Sequence, residues 1–268
     1  MDYDGALLFL ELFNNVDVFL AVFVRIIGIF VILPVFSGQN IPAPARISLA
    51  LGLALLAMTS QSVNLPPYHF SIWGFAALLV SEFMVGMIIG FVVMMLFSLF
   101  QFVGQLVDHQ MGFAMVSVHD PLGQQQAPVS GNLYFFIVTI FFIVTGAMNH
   151  IIFILFESFG VIDIGTAEVV GNADLIAQTL NIIVIYFHLG VRIAVPITGT
   201  LLAVDIILGI LVKAVPQMNV FVVGLPLKVF LGSILLYLTL PMLQPIFANV
   251  FNHVVGFIME MIRGMVPS

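Results

Sequence analysis

Between positions 70 and 103 the chain runs for 34 residues with a single charged side chain, Glu82. A second apolar run, 175–215, continues for 41 residues and carries only Arg192, Asp205 and Lys213 as charges. Coiled as helices at about 1.5 Å per residue, these runs reach roughly 50–60 Å, against a bilayer hydrocarbon core of about 30 Å. Tilting absorbs only part of that excess. Pro196 is expected to kink or break the second run. Helices of this length must otherwise extend beyond the lipid and bury apolar surface against other protein subunits.

Composition agrees. Hydrophobic residues make up 62% of the 268-residue chain and charged residues 7%, with a mean hydropathy of +1.24. A soluble domain carries roughly 25% charged residues, so polar surface is too scarce here to cover a water-soluble globule. The net charge of −7 and only six Lys and Arg, none adjacent, exclude nucleic acid as a partner, since that needs clustered basic residues. The absence of cysteine excludes disulfides and thiolate metal sites. The opening residues, MDYDGALLFLELFNNVD, place acids where a secretory leader starts with bases, so no cleaved leader is expected.

Six apolar stretches approach membrane-spanning length: 16–36, 46–63, 70–103, 133–156, 175–215 and 220–250. The expected fold is all-α and polytopic, made of about six long, kinked helices in hairpins. Turn chemistry separates the stretches. PVFSGQNIPAPAR (34–46) holds three prolines, NLPPYHF (64–70) a Pro-Pro pair, and DPLGQQQAPVSGN (120–132) is strongly polar. ESFGVIDIGTAEVVGNAD (157–174) has four acids and no base, and VPQMNV (215–220) is a short turn. Orientation follows Lys and Arg. Arg46 after the first stretch and Lys213 after the fifth predict an outside N-terminus, which Arg263 opposes. The 104–131 segment then reads as a loop at the cytoplasmic side or at membrane level.

No catalytic signature is present. H-E-x-x-H, G-x-S-x-G and the phosphate-binding G-x-x-x-x-G-K-[ST] are all missing. Asp108/His109 and His119/Asp120 flank an apolar insert and read as solvated or capping residues, not as a metal site. The charges Arg25, Glu82, Arg192 and Asp205 lie inside apolar stretches. Such groups are costly at membrane depth and face a partner or a water-filled path. Their alternating signs, spread over many helices, favour buried ion pairs or helix-end snorkelling between subunits over a proton or ion path. A different reading makes the chain a secondary transporter with a mid-membrane site at Arg192 and Asp205 near Pro196. Gly86 and Gly90 form a GxxxG, with Ser48/Gly52 and Ala50/Ala54 as further small pairs that let helices approach closely.

MGFAMVSV (111–118), the insert itself, is too short to span. Its backbone polar groups exclude a lipid-facing position, so it is buried in protein or lines a water-filled cavity. Gly112 makes it pliable, and Phe113 and Met115 would project into that space. A hydrophobic constriction of this kind closes a pore by occlusion or dewetting.

Three segments carry a family resemblance, in order and over nearly the whole chain: PVFSGQNIPAPARISLALGLAL (34–55), GQLVDHQMGFAM…DP (104–121) and VPQMNVFVVGLPLKVFLG (215–232). Together they resemble the FliR family of the flagellar type III export gate. The resemblance implies a non-enzymatic subunit, without cofactor or metal, in the bacterial inner membrane at the flagellar basal body, with its N-terminus periplasmic. It implies assembly with FliP and FliQ into a ring or cone around an export channel, contact with FlhB, and unfolded flagellar proteins as cargo. Residues 1–175 would be a FliP-like half and 176–268 a FliQ-like hairpin and tail. The family's plug loop maps onto 106–122, with Met111, Gly112, Phe113, Ala114 and Met115 as the plug. Lys213, Pro216 and Lys228 would form the hairpin turn and a partner contact.

Overall fold

The computed structural model describes residues 16–37, 41–60, 72–113, 128–169, 171–217 and 219–266. Among them there are helices and no strand. In chain order the helices are α1 (Val16–Ile32), α2 (Pro34–Ser37), α3 (Ala43–Ser60), α4 (Ile72–Met111), α5 (Val129–Val144), α6 (Ala147–Val161), α7 (Ala173–Ala214) and α8 (Val220–Gly264).

Three of these, α4, α7 and α8, are long and apolar enough to cross a membrane, or four spans if α5 and α6 count as one broken span. The chain is thus a polytopic, all-α membrane protein, with fewer membrane-length helices than the six apolar stretches suggest. Local backbone chemistry accounts for the first and fourth stretches, and the second forms a shorter apolar helix. Pro34 has no N–H to continue the helix, and α1 ends at Ile32, with Leu33 as the break. The fourth stretch divides at Gly146, whose φ of 74° is left-handed and terminates a helix. Elsewhere the helices outrun the apolar pattern. α4 continues through Asp108 and His109 to Met111, because no proline or glycine stops it between 105 and 111. The first part of 104–131 is therefore helix and not loop. α7 passes through Pro196 unbroken for 42 residues, and α8 passes through Pro226, Pro241 and Pro245 for 45. At about 1.5 Å per residue these two helices are each more than ~60 Å long.

The chain divides into two compact units, each with its own core. The first takes its described residues from 1–94, 146–182 and 253–268. There, α1 lies directly against α4 at glycines. A Cβ on Gly86 would overlap the Arg25 carbonyl, and one on Gly28 would lie 2.6 Å from the Phe83 carbonyl. Gly86 and Gly90 thus act as a close-packing face, used against Gly28 and Ile29 of α1. Asn172 caps α7 by accepting the Asp174 and Leu175 amides, while its Nδ2 donates to the Gly264 carbonyl of α8 at 2.9 Å.

The second unit takes 95–145 and 183–252. Its core is aromatic. Phe97, Phe100, Phe142 and Phe247 are fully buried. Phe97 meets Phe142 at 5.3 Å between ring centroids, and Phe141 meets Phe247 at 5.8 Å. Glycine again sets the spacing: a Cβ on Gly104 would fall onto the backbone of Gly131, so α4 and α5 cross in near backbone contact.

Candidate functional site

A tight turn in the second unit ends α4. Met111 is buried, with 1% of its surface exposed, and its side chain fills a notch on α8 at Gly232. A Cβ at Gly232 would overlap the Met111 side chain, so a larger residue there would force Met111 to shift. Gly112 turns the chain with φ 86°, a conformation costly for other residues, and a Cβ there would press on Leu225 of α8. Phe113 follows, half-buried. It lines an apolar cavity of about 260 Å³ together with Met111, Val129, Leu133, Leu236 and Tyr237. It also borders an open groove on α8 at Leu225, Val229 and Phe230. Ala114 and Met115 lie outside the described residues, as do His119 and Asp120.

A buried carboxylate holds the stem of this turn. α5 begins after Pro128, which supplies no side-chain cap. The leading amides of that helix need an acceptor from elsewhere. Asp108 provides it: both carboxylate oxygens accept the Ser130 amide at 3.0 Å, and Oδ2 takes the Gly131 amide at 3.4 Å. The negative charge also suits the positive end of the helix dipole. Asp108 is only 6% exposed, whereas its neighbour His109 is exposed. Asp108 is therefore a cap, as its sequence context allows, but a sealed one.

The remaining sequence candidates fall into three situations. Arg25 and Glu82, both in the first unit and wholly buried, pair at 2.5 Å through Nε and Oε2. Arg25 Nη1 donates to the Ser158 carbonyl and hydroxyl, and Nη2 to the Ile162 carbonyl at 3.2 Å. Glu82 Oε1 accepts the Gly165 amide at 2.8 Å, and the guanidinium lies 4.4 Å from the centre of the Phe159 ring. Every charged atom in this cluster has a partner, the condition under which a buried pair is tolerated.

In the second unit Asp205 pairs with Lys228 at 2.8 Å, not with Arg192, and the two side chains are 38% and 15% exposed. Arg192 is exposed on α7. Lys213, in the last turn of α7 where a cation suits the helix dipole, and Pro216, in the following turn, are also exposed. Among the described residues no three His, Asp or Glu gather in a way that could hold a metal.

The sequence is similar to that of known proteins. The family model described as "Bacterial export proteins, family 1" matches residues 16–254. The chain is 32% identical to the flagellar biosynthetic protein FliR of Bacillus subtilis over 87% of its length and 90% of that protein's. It is 28% identical to the FliR of Pectobacterium carotovorum, covering 96% of this chain and 97% of the relative. It is 25% identical to the surface presentation of antigens protein SpaR of Shigella flexneri, covering 84% and 88%. The chain belongs to the bacterial export proteins, family 1, alongside the FliR proteins.

Proposed function

We propose that this protein is a structural and gating subunit of the flagellar type III export gate in the bacterial cell membrane. It forms part of a channel wall with FliP and FliQ, meets FlhB, and passes unfolded flagellar proteins. In this reading the 106–122 segment is the stopper, and Phe113 is its leading described side chain. Residues 1–175 act as the FliP-like half and 176–268 as the FliQ-like hairpin, with an outside N-terminus. Lys213, Pro216 and Lys228 serve the hairpin and its contact with a neighbouring subunit.

The observation that carries the reading is the turn at Met111–Phe113. It is apolar, it follows directly on a membrane-length helix, and it is docked in a glycine notch of a second such helix. A segment of this kind has no stable place in lipid, whereas a side chain such as Phe113 at a constriction excludes water and ions. Family membership and the flagellar names of the relatives support the setting. A transport site at Arg192 and Asp205 is disfavoured, because the Asp205 carboxylate is engaged by Lys228.

Deleting 110–116 tests the stopper. The deleted chain should still co-purify with tagged FliP and FliQ, and ions should leak through the assembled gate. An intact assembly with unchanged membrane conductance would refute it.

A further inference from the structure

The geometry points to Asp108 as a positioning residue that keeps the closing turn seated. This inference rests on the reading of 106–122 as a stopper. Asp108 stands three residues before Met111 on α4, yet its carboxylate is spent on α5, on the amides of Ser130 and Gly131. One buried anion thus ties together the two ends of the chain segment between α4 and α5, 22 residues apart at Ser130. Two further features make this a clamp and not an ordinary cap. Gly104, one turn before Asp108, permits the backbone approach to Gly131 that brings the carboxylate within reach. Met111, three residues after Asp108, is buried against Gly232 of α8. The last turn of α4 is therefore fixed on one side to α5 and on the other to α8, and Phe113 follows directly on the part held from both sides.

Pro128, at the N-cap of α5, offers the first turn no side-chain bond. Removing the carboxylate leaves the Ser130 amide, in a buried stretch, without its acceptor. The cheapest relief is for the start of α5 to separate from α4 and admit water. That same movement loosens Met111 and Phe113.

The test compares ion leak through assembled gates carrying wild-type chain, Asp108→Asn, Asp108→Ala, and the 110–116 deletion, each normalised to the amount of complex in the membrane. Asparagine keeps one acceptor oxygen for the Ser130 amide; alanine keeps none. We expect leak to rise in the order wild type, Asp108→Asn, Asp108→Ala, with Asp108→Ala severalfold above wild type and the deletion highest. A role in folding alone would lower the amount of complex and leave leak per complex unchanged. Asp108→Ala gates as tight as wild type, with the deletion leaky, would overturn the role of Asp108 and leave the stopper standing. A tight deletion would overturn the stopper and this inference together. If the alanine variant does not assemble, Asp108→Asn decides: leak above wild type supports the clamp, and wild-type tightness refutes it.

Discussion

Two ion pairs between helices, Arg25–Glu82 and Lys228–Asp205, live in different physical regimes. Arg25–Glu82 in the first unit is sealed, with neither side chain exposed, and each remaining polar atom is met by a carbonyl, a hydroxyl or an amide. Lys228–Asp205 in the second unit is more open: Asp205 is 38% exposed and Lys228 15%. Burial makes a charge expensive, so a buried pair contributes little net stability while intact and costs much when halved. An open pair contributes little in either state. The first arrangement suits a fixed joint between α1, α4 and the segment after α6. The second leaves charge available to something outside the chain.

Substitution separates the two regimes. The largest effect should come from Arg25→Ala, which strands the Glu82 carboxylate in an apolar core and should cost about 3–5 kcal/mol. Urea titration of the detergent-solubilised chain would read this as a lowered midpoint. Arg25→Met combined with Glu82→Leu should recover most of the loss, since two apolar groups of similar size leave no orphan charge. A double variant as unstable as Arg25→Ala would mean that the contacts to Ser158 and Ile162, and not the charge pair, hold the joint. The smallest effect should come from Lys228→Ala, at about 0.2–1 kcal/mol in the same titration. If Lys228 contacts a sister subunit, that variant should weaken co-purification with FliQ far more than it weakens the isolated chain. Equal, small losses in both measurements would confine Lys228 to its partner Asp205.

Much of this was legible in the sequence, and what was not has identifiable causes. Apolar runs without charge announce long helices, and α4, α7 and α8 follow from them directly. Counting spans from the same runs overshoots, because hydropathy averages across Pro34 and Gly146 while the backbone stops at each. The polar triplet Asp108–His109–Gln110 looks like the start of a loop, yet polarity alone does not end a helix; Gly112 does. Arg25 and Glu82 stand out as charges in apolar surroundings, but 57 positions separate them and only the crossing of α1 on α4 makes them neighbours. For Asp205 the sequence names no partner; the fold supplies Lys228 from α8. The cap function of Asp108 had one local clue, a helix that begins behind a proline with no capping side chain of its own, but its burial depends on Gly104 and Gly131 meeting.

The central claim is that the residue at position 113 stands in the conducting path. The chain has no cysteine, so Phe113→Cys introduces a single addressable thiol into this subunit. Gates with that substitution should leak, and a bulky thiol reagent should close them again, with conductance falling as labelling proceeds and recovering when a reductant removes the adduct. Complete labelling with no change in conductance would contradict the account, because it would place position 113 away from the passage.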